Sequence, residues 1–339
     1  MPLSPSFVTS VRRNRWSAAR ALGAAGVFGV LLWRLGTGPF LDGLRRVDLW
    51  SLAVASGIAA VTTLCCAWRW TLVARGLGVA VPLRSAVAAY YRSQFLNVAT
   101  PSGVLGDVHR GVSHGRDVGD TSRGLRSVVW ERFAGQLVMI AMAASALSLL
   151  PSPVPLPLPV VASVAVAGCV AVGLVARGVP SPLAPRWARS LARAGADLRA
   201  GVLARHTWPG ILLASAIAVA GHVLTLLIAA RSAGATASLQ QVLPLALLVL
   251  VAMGLPTSIA GWGPREGMAA WAFGAGGLGA EQGVATAVAY GVMVFVASLP
   301  GAALLVVPML RRGRVVAWAG HARPPVAATT SAADGAAHA

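Results

Sequence analysis

The sequence predicts an all-α fold: a polytopic integral membrane helical bundle of about six crossing helices plus two re-entrant broken hairpins arranged as an inverted repeat. Three observations carry that expectation. Of the 339 residues, 56% are hydrophobic and 11% charged, and mean hydropathy is +0.71, whereas a soluble domain usually carries about 25% charged residues. Apolar runs of membrane-crossing length recur along most of the chain. Finally, every basic residue is an arginine, and the arginines concentrate between those runs rather than along one amphipathic face.

Residues 1–17 are expected to form a cytoplasmic N-terminal segment. Arg12, Arg13, Arg15 and Arg20 precede the apolar run Ala21–Leu35. No small-x-small cleavage site follows, so the pattern predicts an uncleaved first helix over Ala18–Leu35 rather than a signal peptide. Further crossings are predicted at Leu49–Trp68, Phe133–Leu150, Leu158–Ala176, Pro209–Ala230 and Val284–Val307. Each is close to the roughly 20 residues that a helix needs to cross a hydrocarbon core of about 30 Å. Two other apolar stretches are broken. Ala86–Gly106 is interrupted by Asn97 and by Thr100-Pro101-Ser102-Gly103, and Leu239–Gly279 by Gly254-Leu255-Pro256-Thr257-Ser258 and Gly261-Trp262-Gly263-Pro264. The membrane domain is therefore expected over 18–310. Within it, 182–206 alternates Arg with Leu, Ala and Trp at helical spacing, as an amphipathic cytoplasmic connection would. The segment 311–339, whose last part is rich in Ala, Pro, Thr and Ser, is expected to be a disordered cytoplasmic tail.

Arginine counts assign the sides. The N-terminus, Arg69–Arg84, His109–Arg132, Arg177–Arg205 and Arg311–Arg314 are Arg-rich, whereas Gly36–Asp48, Pro151–Pro157 and Arg231–Ser238 are nearly neutral. Cytoplasmic loops hold the Arg excess, which places both termini in the cytoplasm of a bacterial inner membrane. Keeping Arg311–Arg314 inside requires Leu239–Gly279 to enter and leave from the outer side. By the same logic Ala86–Gly106 enters from the cytoplasm, and the two stretches are expected to pack against each other in the centre.

The two stretches share a pattern. TPSGVLGDVHRG and LPTSIAGWGPREG align Pro101 with Pro256, Ser102 with Thr257, Gly106 with Gly261 and Arg110 with Arg265. Paired interrupted helices of opposite orientation suggest a binding site between them, near the midplane. Backbone freed by Pro and Gly is tolerated there only against protein or a water-filled cavity. Helix N-termini near Pro101 and Pro264 could hold an anionic group, and arginine suits phosphate through two-point hydrogen bonding. The candidate lipid-headgroup residues are Asn97, Pro101, Ser102, Gly106, Asp107, Arg110, Glu131, Arg132, Pro256, Thr257, Ser258, Gly261, Gly263, Arg265 and Glu266.

Plainer readings stand beside these. Glu131 could simply pair with Arg132 or Arg126 and stabilise a helix end, and His222 is read as a packing residue outside the site. Asp107, His109 and His114 match no strong metal-ligand spacing, and Cys65, Cys66 and Cys169 lie inside apolar runs as inert thiols. No metal or cofactor is called for. The basic excess does not signal nucleic acid, because no aromatic residues interleave with it to stack bases.

SQFLNVATPSGVLGDVHR, VVWERFAGQ and GLPTSIAGWGPREG resemble the blocks of the lysylphosphatidylglycerol synthase transmembrane-region, flippase-like family, over roughly Arg20 to Met309. That family often has Gly-Gly-Asp where this chain has Leu105-Gly106-Asp107. The resemblance implies translocation of a lipid that, in two-part members, a separate cytoplasmic synthase domain has aminoacylated. That domain is expected to be absent here, and no transferase activity is expected. The reading that follows is a flippase-like transporter for an anionic-headgroup phospholipid or polyprenyl-linked lipid, served by a separate synthase or glycosyltransferase. An intramembrane lipid-phosphate enzyme using Asp107, His109, His114, Glu131 or Glu266, and a non-catalytic partner of a lipid or glycan synthase, are the alternatives.

Overall fold

The computed structural model describes residues 29, 33, 36–100, 103–149, 186–254 and 263–321. The predicted crossings at Ala18–Leu35 and Leu158–Ala176, the residues Pro101, Ser102, Pro256, Thr257, Ser258 and Gly261, and the tail beyond 321 fall almost wholly outside them. The described residues form helices and connections, without strands. In chain order the helices are α1 (Gly38–Arg45), α2 (Leu49–Gly76), α3 (Leu83–Ala99), α4 (Leu105–Asp117), α5 (Thr121–Leu149), α6 (Arg186–Asp197), α7 (Trp208–Ser232), α8 (Leu239–Met253), α9 (Pro264–Ala275) and α10 (Ala280–His321). A π-turn over Leu198–Val202 continues α6.

Four of these are long and apolar enough to cross a membrane: α2, α5, α7 and the Ala280–Val307 part of α10. They coincide with the predicted crossings that lie among the described residues, but their ends differ. α2 runs on past Trp68 to Gly76, and α5 begins at Thr121 rather than Phe133. Helix hydrogen bonding continues through arginines once they find partners, so hydropathy alone stops too early. The segment Gly36–Asp48, read as a plain connection, holds the short helix α1. α10 also continues to His321, through the Arg cluster where the tail was expected to begin. Val61, Leu64, Val129, Leu213, Leu224 and Leu299 stay exposed on the long helices, an arrangement suited to lipid and costly in water.

Contacts fix the two ends of the bundle. At one end, Arg46 donates to the Ala233 carbonyl (2.9 Å), Gln282 donates to the same oxygen (3.1 Å), and Ser232 donates to Ser51 (3.1 Å). The starts of α2 and α10 and the end of α7 therefore lie together. At the other end, Gly76 abuts Ala200, and Arg126 pairs with Asp197 (3.0 Å), joining the end of α2, the start of α5 and the π-turn. All the described Arg-rich connections gather at this second end. The C-terminal half of α10 runs toward it as well, as the Arg311–Arg314 cluster required.

The broken stretches are hairpins. Six residues separate α2 from α3, and α4 returns to the start of α5, so α3–α4 enters and leaves at the Arg-rich end. α8 follows α7, and α9 returns to the start of α10, so α8–α9 enters and leaves at the opposite end. Val242, Leu245, Ala272 and Phe273 pack the base of this second hairpin against Ala230 and Ala235. Among the described residues the hairpins do not pack face to face as expected. α10 packs on both α3 and α9, and α5 packs on both α4 and α8, so the crossing helices bridge them. The larger core joins α5, α7, α8 and α10 through Met139, Val223, Leu226, Leu250, Tyr290 and Met293.

Candidate functional site

The first hairpin is built around Asn97 and Asp107. The Asn97 side chain accepts the Gly106 N–H (2.8 Å) and donates to Asp107 (3.0 Å), while Ser93 donates to the other Asp107 oxygen (3.0 Å). Asp107 lies in the first turn of α4, where a carboxylate complements the helix dipole. Gly106 is required by proximity: a Cβ there would overlap the Ser93 backbone of α3.

Behind this turn lies a buried ion network. Glu131, with no solvent-exposed side-chain surface, accepts Arg69 Nε (2.9 Å), Arg69 Nη2, Tyr90 Oη (3.0 Å) and Arg110 Nη2 (3.0 Å). Arg110 also bonds Asp107 (3.1 Å), and its guanidinium is sandwiched 4.2 Å from the Tyr90 ring centroid and 4.6 Å from that of Trp70. Arg132 pairs with Asp107 (2.7 Å), and Arg69 donates to Ser215 on α7 (3.0 Å). The plainer reading, in which Glu131 pairs with Arg132 or Arg126, is therefore corrected as to its partners. Residues 131 and 132 point to different helix faces, and Arg126 is taken by Asp197. Three arginines, Arg69, Arg110 and Arg132, face two carboxylates, which leaves one positive charge uncompensated. Charges at this depth survive only when paired in this manner.

The second hairpin differs in register. Gly263 has φ 110°, a conformation that favours glycine, and Pro264 starts α9. Glu266 caps that N-terminus, accepting the Gly263 N–H (2.7 Å), and also accepts Arg265 Nε (2.8 Å). Arg265 stands at the second residue of α9, whereas Arg110 stands at the sixth of α4. The structurally matching residues are Asp107 and Glu266, each third in its helix. The Pro-to-Pro alignment that equated the two arginines thus misplaces them by four residues relative to the helix starts. Side chains of the chain itself already serve both helix N-termini, the Asn97 amide at the first and the Glu266 carboxylate at the second.

A cavity of about 770 Å³ lies between the hairpins, lined by α2, α3, α4, α5, α7, α10 and the end of α8. Gly103 and Val104 from the first break and Met253 and Gly254 from the second both border it. Its charged, amide and imidazole lining comes from Arg69, Arg132, Asp107, Asn97, Gln94, Gln136 and His222, set among hydroxyl-bearing and apolar side chains. Arg132 is the open cation, with its side chain 47% exposed against none for Arg110. Asn97, Asp107 and Arg132 thus line the cavity. Gly106, Arg110, Glu131, Arg265 and Glu266 stand behind it, and neither Arg110 nor Arg265 reaches its surface.

Sequence reasoning missed Arg69, Gln94, Gln136 and His222. The signal for Arg69 was present in Trp68-Arg69-Trp70, a charge embedded in apolar sequence that needed a carboxylate from elsewhere. His222, read as outside the site, lines the cavity and shares a 3.1 Å hydrogen bond with Tyr290. The enzymatic candidates are engaged as well. Glu131 and Asp107 are ion-paired, while His114 is bonded to the Val79 carbonyl (2.9 Å) and sits edge-on to Trp70. Among the described residues, no three His, Cys, Asp or Glu side chains converge as metal ligands would.

Comparison with known proteins gives one family match: the model described as lysylphosphatidylglycerol synthase TM region covers residues 17–301. No curated protein and no solved structure matches the chain.

Proposed function

Because the chain belongs to the lysylphosphatidylglycerol synthase TM-region family, we propose that this multi-pass membrane protein carries an anionic-headgroup lipid through the cavity between its two hairpins. The lipid is a phospholipid or a polyprenyl-linked intermediate of the bacterial cytoplasmic membrane, delivered by a separate lipid or glycan synthase. One observation carries the reading: both helix breaks border a single cavity whose polar wall includes Arg132 and Arg69. Hairpins entered from opposite ends give that cavity a natural route to either side, as in transporters built from inverted repeats.

In this reading the lipid phosphate meets Arg132 first and Arg69 behind it, drawn by the one positive charge the network leaves uncompensated. Asn97, Gln94 and Gln136 offer neutral hydrogen bonds along the path, and the acyl chains stay in lipid. The pairing of Glu131 and Asp107 with arginines supports passage over bond-making chemistry. Arg110 and Arg265 serve as positioning residues that hold the two hairpins.

A photoreactive residue at Gln136, in protein reconstituted with radiolabelled phosphatidylglycerol, tests the route. Lipid crosslinked at Gln136, and less of it in Arg132→Ala, is expected, while lipid-facing Leu213 labels equally in both proteins. No labelling at Gln136, or labelling there that ignores Arg132→Ala, would refute it.

A further inference from the structure

A second cleft, of about 680 Å³, opens at the Arg-rich end of the bundle, with no lining residue in common with the cavity. Its walls come from the end of α2 (Gly76, Leu77, Gly78), the start of α5 (Ser122, Arg123, Arg126) and the α6–π-turn segment (Arg193, Ala196, Asp197, Ala200). Three arginines thus converge from two helices on a space whose lining holds one carboxylate. That carboxylate, Asp197, already accepts Arg126 (3.0 Å) and the Trp130 indole N–H (3.4 Å). Asp120, outside the lining, takes part of the charge of Arg123 (3.3 Å). Arg193 makes no ion pair among the described residues. Arg126 has, in addition, a buried Nε that no acceptor among the described residues satisfies. The first turn of α5 adds the positive end of a long helix dipole.

The surroundings say which anion fits. α6 lays Ala192, Gly195 and the following Leu198 inward, while Arg189, Arg193 and Leu191 stay exposed. The next connection exposes Leu203, and the start of α7 exposes Trp208. Exposed Leu and Trp beside arginines at the end of crossing helices mark the headgroup level of a bilayer. Basic pockets at that level take phosphate-bearing headgroups.

We propose that this cleft is a second anion site, distinct from the cavity, that holds the phosphate of an anionic membrane lipid through Arg123, Arg193 and Arg126. A lipid bound there ties the α6 connection to the ends of α2 and α5.

Native mass spectrometry of the full chain, with dioleoyl phosphatidylglycerol and dioleoyl phosphatidylcholine as probes, tests it. The variants are Arg123→Gln, Arg193→Gln and their combination; all remove partly or fully exposed side chains, so folding should survive, and a thermal melt checks this. Phosphatidylglycerol affinity should fall about fivefold for each arginine and roughly twenty-five-fold for the double variant. Phosphatidylcholine binding should not change. Arg189→Gln, on the same helix but outside the cleft, should bind both lipids as the parent does. Equal losses from Arg189→Gln, or no loss from the double variant, would overturn the proposal. In a further arm, millimolar inorganic phosphate is added. Phosphatidylglycerol should persist, and its displacement would show a site for free phosphate and overturn the lipid assignment.

Discussion

Replacing Glu131 by Gln removes one negative charge and leaves the shape almost unchanged. Its two carboxylate oxygens receive Arg69, Arg110 and Tyr90, and the side chain has no contact with solvent. The neutral amide can still accept from one arginine, but its NH2 must face the other. The surplus in the network then rises from one positive charge to two. Breaking a buried pair in this way typically costs roughly 3–5 kcal/mol. For a chain of this size, at about 2 °C per kcal/mol, the thermal midpoint should fall by roughly 6–10 °C. The assay is thermal unfolding in a fixed detergent, followed by intrinsic tryptophan fluorescence, since Trp70 lies against Arg110. Glu131→Asp keeps the charge and should cost less. A Glu131→Gln protein as stable as the parent would show that the network does not hold the hairpin to the bundle, and the reasoning would fail.

Three further outcomes follow from the same geometry. Gly106→Ala should destabilise by about 1–3 kcal/mol, because its Cβ would overlap the Ser93 backbone; Gly57→Ala, with open space around it, should be neutral or stabilising by up to about 1 kcal/mol, and paired thermal melts compare them. Asn97→Ala should loosen the first hairpin by freeing both the Gly106 N–H and Asp107, which faster amide hydrogen exchange over residues 103–110 would report. Cysteines placed at Gly279 and Gly313 in a background lacking Cys65, Cys66 and Cys169 should react with impermeant reagent from opposite sides of the membrane. Labelling of both from one side would contradict the opposed hairpins.

Much of the architecture was legible because its cause is local. An apolar run of membrane length becomes a crossing helix wherever it stands, and Leu49, Pro209 and Val284 mark true helix starts to within a few residues. Arginine distribution carried more: it foresaw that the two broken stretches enter from opposite ends, and the Arg46–Ala233 and Arg126–Asp197 contacts place them so. What escaped was pairing at a distance. Arg69 and Glu131 are 62 residues apart, and nothing local distinguishes an arginine that ends a helix from one that continues it into a carboxylate. The repeat misled for a related reason. Pro, Gly and Arg recur at equal spacing, yet a helix begins where its first turn can be capped. Asn97 accepts the Gly106 N–H at one start and Glu266 accepts the Gly263 N–H at the other, so Arg110 and Arg265 fall at different heights, and neither lines the cavity.

Translocation of fluorescent phosphatidylglycerol in proteoliposomes tests the central claim most directly, with Arg132→Ala and Arg132→Lys reconstituted at matched density. The parent should move the lipid faster than protein-free vesicles do. Arg132→Ala should lower that rate about 10- to 100-fold, the loss of a hydrogen bond to a charged group worth roughly 1.5–3 kcal/mol. Arg132→Lys should fall between, since it keeps the charge and loses the planar fork, and the thermal stability of both should stay near that of the parent. Full translocation by Arg132→Ala, or a parent rate no faster than that of empty vesicles, would contradict passage of the headgroup through this cavity.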